Sequence, residues 1–215
     1  MVKHETDMDF LKNYDIILAS NSPRRKELLA GLDIPYRVCV LPDIDESYPD
    51  TLRGEEIPLY ISRQKAAAHA GLLDEHTLLI TADTIVWLGE RVYGKPHDKA
   101  EARAMLHDLS GQTHTVITGV TLLSRQKSLS FATSTEVSFA PLTDEEIDYY
   151  VEKYAPLDKA GAYGIQEWIG YVGVTGIRGS YYNVMGLPIQ RLYQELKKFQ
   201  TPSPSTDGHT STDAR

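Results

Sequence analysis

Residues 15–31 read DIILASNSPRRKELLAG, and the rest of the chain is most easily understood outward from them. Asp15-Ile16-Ile17-Leu18-Ala19-Ser20 is a short apolar run that opens into turn chemistry at Asn21-Ser22, which predicts a buried strand. Ser22 before Pro23 is an N-cap followed by proline at the first helical position, and Gly31 closes the predicted helix. A strand feeding a helix through a tight polar turn is the beginning of an α/β pattern.

Further along, Tyr36 to Leu41 reads as a second strand, with Cys39 a small core residue inside it. Glu55 to Leu73 carries apolar and alanine positions at helical spacing, with Pro58 tolerated near the start of that helix. Thr77 to Ala82 is a third strand, continued in extended form from Thr84 to Leu88. Asp98 is a good N-cap for a helix over Lys99–Leu109. His114 to Leu123 and Ser128 to Phe139 form a natural antiparallel pair. Thr143-Asp144-Glu145-Glu146 has the capping-box pattern and predicts a helix to about Tyr154. Gly179 to Met185 reads as extended, and Leu187 to Phe199 as the last helix. These elements predict an α/β or α+β mixed sheet, without internal repeats, in which two lobes around a cleft are compatible with the order.

Composition narrows the function. Apolar residues at 41% and charged residues at 24% are those of a globular enzyme, and 22 basic against 30 acidic residues leave a net charge of −8. That balance argues against binding nucleic acid or an anionic membrane non-specifically. Any polyanionic ligand must then meet positive groups gathered in one place. One cysteine allows no disulfide within the chain and suits a reducing, cytoplasmic compartment. The opening MVKHETDMDFLKNYD is too acidic for a signal peptide, and no stretch approaches the ~20 apolar residues of a membrane span. The working domain is expected over 14–199, between an N-terminal extension (1–13) and a polar, disordered tail (200–215).

Four segments can carry chemistry. In Ser20-Asn21-Ser22-Pro23-Arg24-Arg25, the amides of a helix N-terminus attract anions, while two arginines there oppose the macrodipole by a few tenths of a kcal/mol. A phosphate would reconcile them; pairing with acids such as Glu27 is the plainer alternative. In Thr81-Ala82-Asp83-Thr84, an aspartate among apolar β residues is costly unless it holds a metal, accepts a proton from water, or simply sits in a turn. Lys95, in Gly94-Lys95-Pro96-His97-Asp98, could reach a phosphate; Lys65 would by default be solvated. In Asp158-Lys159-Ala160-Gly161-Ala162-Tyr163-Gly164-Ile165-Gln166, small residues admit a close ligand and Gln166 offers an amide. His69, His97, His107 and His114 lack metal-site spacing and read as solvated, and Tyr181-Tyr182 reads as packing. No dinucleotide, P-loop or nucleophile-elbow motif is present.

Together these pieces resemble the Maf family of nucleotide pyrophosphatases. The resemblance rests on ASNSPRRKELL (19–29), Asp45-Glu46, Arg63-Gln64-Lys65-Ala66, TADTIV (81–86), GKPHDKAEA (94–102), LSGQTHTVITGV (109–120), DKAGAYGIQ (158–166) and GSYYNVMGLP (179–188), in order over nearly all of 15–198. It implies a mixed twisted sheet with flanking helices in two lobes around a central cleft, similar to the inosine triphosphate pyrophosphatases. It also implies hydrolysis of dTTP and UTP, and of modified pyrimidine triphosphates, to the monophosphate and pyrophosphate. In that comparison Asp83 matches the proton acceptor, and Arg24, Thr84 and Gln166 match the positions that distinguish the dTTP/UTP subgroup. Ser20, Arg25, Glu46, Lys65, Lys95 and Asp98 match polar positions lining the cleft. A divalent cation, Mg²⁺ or Mn²⁺, is expected on Asp83 with help from Glu46 or Asp98. Members of the family often form homodimers. Two alternatives stay open: a purine-preferring pyrophosphatase, and a non-catalytic nucleotide-binding regulator of septum formation.

Overall fold

The computed structural model describes residue 11 and residues 13–199. The expected tail, and the expected N-terminal extension apart from residues 11 and 13, lie outside the described residues. The strands are β1 (Asp15–Leu18), β2 (Arg37–Val38), β3 (Thr77–Leu88), β4 (Arg91–Tyr93), β5 (Thr113–Leu123), β6 (Ser128–Phe139) and β7 (Val174–Arg178). The helices are α1 (Pro23–Ala30), α2 (Glu56–Ala68), α3 (Lys99–Leu109), α4 (Asp144–Tyr154), α5 (Trp168–Gly173), α6 (Tyr181–Val184) and α7 (Ile189–Leu196). The strands make one mixed sheet in the order β2-β1-β3-β5-β6-β7, with β4 also beside β3. β1 is parallel to β2 and β3; the other pairings are antiparallel.

β3 is where the sheet forks. β5 follows one edge of it from Leu79 to Trp87. The opposite edge pairs with β1 through Thr77–Ile80 and with β4 through Val86–Leu88. Among the described residues, Thr81 to Ile85 therefore has no strand on that edge, and a gap opens between the two parts of the sheet.

Side-chain alternation gives β3 two different faces. Leu78, Ile80, Ala82 and Val86 enter the main core with Leu29 of α1, Leu106 of α3, Tyr150 of α4 and Leu192 of α7. On the other face, Leu79 meets Ile17 and Ala66, and Ile85 meets Ile57, Ile61 and Ile117. Each fully buried aliphatic side chain contributes roughly 1.5–3 kcal/mol, so a one-residue slip, which would invert both faces, is strongly disfavoured. α2 lies directly on β5: a Cβ at Gly119 would overlap the backbone of Pro58 and Leu59.

Several expected elements take another form. The strand expected over Tyr36–Leu41 is only the edge pair β2, and Val38 and Leu41 are exposed. Cys39 is correspondingly half-buried, packed at the margin of the Ile17 cluster. The helix expected to Leu73 stops at Ala68, followed by a separate 3-10 turn over Ala70–Leu72. Gly179 to Met185 is not extended: Ser180 caps α6 by accepting from the Asn183 N–H at 3.2 Å. Pro188 precedes the last helix, which starts at Ile189, and a 3-10 turn completes it to Phe199. No element was expected for β4, β7 or α5.

Candidate active site

The fork in β3, the end of β1, the start of α1, one side of α2 and the loop through Gln166 enclose a cleft of about 700 Å³. That is a size suited to a small organic ligand. Asp83 lies at the open edge of β3, on its α2 face, and is only 8% exposed. The same alternation places Thr81 on that face, where its hydroxyl donates to Ser62 O of α2 at 2.7 Å. One helical turn past Ser62, Lys65 reaches back with Nζ 2.8 Å from Asp83 Oδ1 and 3.0 Å from Glu46 Oε1. Lys65 is thus a clamp between two carboxylates rather than the solvated lysine its helix position suggests. Burial alone would raise the Glu46 pKa, but Lys65, then Lys95 and Arg25, outweigh it and hold that carboxyl below its ordinary value.

Thr84 points to the opposite face. Its Oγ1 accepts from Arg25 Nη2 at 2.9 Å and shares a 2.9 Å hydrogen bond with Thr118. The rest of the Arg25 guanidinium donates to Gly186 O (2.7 Å), Ala82 O (2.9 Å) and Ser20 Oγ (3.4 Å). The carbonyl of Ala82 is free to accept because β3 has no strand partner there. Arg24 donates through Nε to Met185 O at 3.2 Å and pairs through Nη1 with Asp158 at 3.0 Å. Apart from Ser20, the side-chain partners of the two arginines are long-range, and Glu27 is not among them. Ser22 caps α1 by accepting from the Arg25 N–H, leaving the turn Ser20–Ser22 on the cleft wall.

Gln166 lines the same cleft, and its Oε1 is buried without a hydrogen-bond partner. An orphaned acceptor in a cavity wall costs about 1–3 kcal/mol unless something in the cavity completes it. Lys95 also borders the cleft and is exposed. Asp98 does not join them: it is exposed, absent from the cleft wall, and its Oδ1 accepts from the Glu101 N–H at 2.8 Å as the cap of α3.

Two histidines depart from the solvated reading. His69 is 1% exposed; its Nε2 faces the Leu41 N–H at 3.2 Å and its Nδ1 the Lys65 carbonyl at 2.7 Å, a pair satisfied by the Nδ1–H tautomer. It ties the segment leading to Glu46 onto α2. His114, equally buried, bonds through Nε2 to Tyr163 Oη at 2.7 Å. His97 and His107 are exposed. Tyr181 and Tyr182 are exposed too, touch edge to face at 5.8 Å, and stand outside the cleft wall. Asp158, Lys159, His69 and the carbonyls of Met185 and Gly186 were not singled out as site residues. The arginines that hold Asp158 and the two carbonyls lie 134 and 161 residues away, so no local pattern marks those contacts.

The family model described as Maf-like protein matches residues 15–199. This chain belongs to the Maf family. A Maf relative from Phocaeicola vulgatus, named dTTP/UTP pyrophosphatase, is 63% identical over 191 residues, covering 89% of this chain and 99% of its own. Relatives of the same name from Parabacteroides distasonis and Porphyromonas gingivalis are 59% and 55% identical, each covering 89% of this chain and 100% and 98% of their own. Among solved structures, the Ham1 protein of Staphylococcus aureus is similar at a TM-score of 0.49 and 19% identity, over 86% of this chain and 98% of that one. No described helix of this Maf chain is long and apolar enough to cross a membrane.

Proposed function

We propose that this chain hydrolyses dTTP and UTP, and modified pyrimidine triphosphates, to the nucleoside monophosphate and pyrophosphate. The observation that carries the reading is Asp83: an acid in the wall of a nucleotide-sized cleft, kept beside a lysine and a second acid. The names of the 55–63% identical relatives support the same substrate class.

In the proposed reaction, water attacks the α-phosphorus, Asp83 accepts its proton, and the bond to the bridging oxygen breaks as pyrophosphate leaves. Lys65 holds Asp83 and Glu46 together, and Lys95, exposed at the rim, supplies a positive charge to the phosphate chain. Ser20 and the first turn of α1 border the phosphates, with Arg24 and Arg25 adding positive potential. Every nitrogen of the Arg25 guanidinium is already hydrogen-bonded to protein, so its direct work is to hold Thr84 and the turn in place. Gln166 reads the base: its carbonyl accepts from N3–H while its amide donates to O4, and cytosine presents the reverse pattern.

Among the described residues no three His, Cys, Asp or Glu side chains converge as a ready-made metal cage. Two carboxylates beside a phosphate site nevertheless fit Mg²⁺ or Mn²⁺, since such ions commonly bind one or two carboxylates and complete their shell with phosphate oxygens and water. Asp83 and Glu46 would hold the ion. When bound, it neutralises phosphate charge and polarises the reacting phosphoryl group. We propose as well that the chain works in the cytoplasm as a homodimer, an association that light scattering of the purified chain would read.

The test is pyrophosphate release from a panel of nucleoside triphosphates with Mg²⁺ or Mn²⁺, for the wild type beside Asp83→Asn. Selective turnover of dTTP and UTP, reduced at least about 10²-fold in the variant, is expected. Absence of turnover on every nucleotide with either metal would overturn the reading.

A further inference from the structure

Lys159 borders the cleft yet is 7% exposed, and its charge is already neutralised within its own loop. Its Nζ lies 2.7 Å from Asp158 Oδ1 and 3.1 Å from Glu167 Oε1. Glu167 Oε2 accepts from the hydroxyl of Tyr150, a fully buried residue of α4. That hydroxyl oxygen accepts in turn from the Gly164 N–H at 2.9 Å. At the other end, Asp158 Oδ2 holds Arg24 of α1 at 3.0 Å. The loop is thereby laced to two helices by two cations, two anions and one phenol.

We propose that the Lys159–Glu167 ion pair, anchored on Tyr150, positions Gln166 and so sets the pyrimidine preference of the cleft. This rests on the base-reading role proposed for Gln166.

Gln166 is next in the chain to Glu167, and its neighbour Ile165 is buried in the main core. The Glu167 N–H also donates to Gly164 O at 2.9 Å, closing a tight turn around Gln166. Gly164 makes room for the pair, because a Cβ there would stand 2.9 Å from Glu167 Cδ and 3.0 Å from Lys159 Cε. A glutamine amide can serve uracil or cytosine merely by turning over. Discrimination therefore needs the amide set at one place against the rest of the cleft wall, so that only one of its two orientations meets the base. The buried pair joins Ile165 and the Gly164 turn in setting that place. Lys159 and Glu167 are positioning residues: their charges face each other, Asp158 and Tyr150, and neither is required to touch the nucleotide.

Glu167→Gln removes the charge at constant size and leaves Lys159 paired with Asp158. Without nucleotide, the Gly164 amide should exchange its hydrogen at least about tenfold faster than in the wild type. In calorimetric titrations, the preference for UMP over CMP should fall about tenfold, and the KM for UTP should rise by a larger factor than kcat falls. If Glu167→Gln fails to fold, Lys159→Met combined with Glu167→Gln removes both members of the pair and should fold with the same loss of preference. A wild type that prefers UMP, with a folded variant that keeps that preference and its Gly164 protection, overturns this proposal alone. A wild type that binds neither monophosphate overturns the base-reading role, and this proposal with it.

Discussion

Asp83 and Thr84 are neighbours in the chain and face opposite ways in the fold. The strand period of two sends Asp83 toward α2 and Thr84 toward α1, so one meets Lys65 and the other Arg25. Exchanging the two residues would leave both bases without their acids or hydroxyls. Lys65 is the more exacting partner, because two carboxylates depend on it. Lys65→Met is expected to lower kcat/KM by about 10²–10³-fold and to raise the Glu46 pKa, read by carboxyl NMR across an acid titration. The sign follows from Glu46 lying below its unfolded value in the wild type. The stability its charge brings is complete above the ordinary carboxylate range and is lost as pH falls through the depressed folded-state value. In Lys65→Met that acid-side loss should shrink.

At the scale of elements, α2 and β3 form the working pair, and β5 sets the distance between them. Gly119 lets the Pro58–Leu59 backbone rest against β5, which brings Ser62 to Thr81 and Lys65 to Asp83. Gly119→Ala should therefore cost about 1–3 kcal/mol, by overpacking, in a denaturant titration. Its activity should fall even in buffer where the variant remains folded, because lifting α2 moves Lys65 away from Asp83. α6 shows why a short element can be misread. Tyr181, Tyr182 and Val184 favour strands by type, yet the Ser180 cap and the burial of Asn183 prevail. Asn183 Nδ2 donates to Val116 O at 3.1 Å and Thr135 Oγ1 at 3.0 Å, contacts 67 and 48 residues away that no local pattern announces.

For the whole molecule, His114 couples the core to pH. Burial lowers its pKa to about 4, against a Tyr163 hydroxyl and the edge-to-face ring of Phe139. A histidine neutral in the folded state but titrating near its ordinary 6.5 when unfolded makes unfolding take up a proton between those values. Global stability should thus fall by roughly 3 kcal/mol as pH drops from about 6.5 to 4, and this contribution should level off below. Denaturant midpoints across that range should show the slope in the wild type, and His114→Phe should lack His114's share of it.

Some features of this protein follow from local chemistry. The apolar run before Ser22-Pro23, the Asp98 and Thr143 caps, and the apolar runs that make β3, β5 and β6 act over a few residues, so type and spacing sufficed to place them. Resemblance to a family likewise pointed to Asp83, Thr84 and Gln166. Tertiary structure alone decided their surroundings: that Lys65 is a clamp, that Arg25 binds carbonyls, that Asp98 stays outside the cleft, and that His69 and His114 are buried. The reason is physical. Desolvation and hydrogen bonding depend on which surfaces the folded sheet brings together, and the gap in β3 exists only once β1 and β4 have both paired with the same edge.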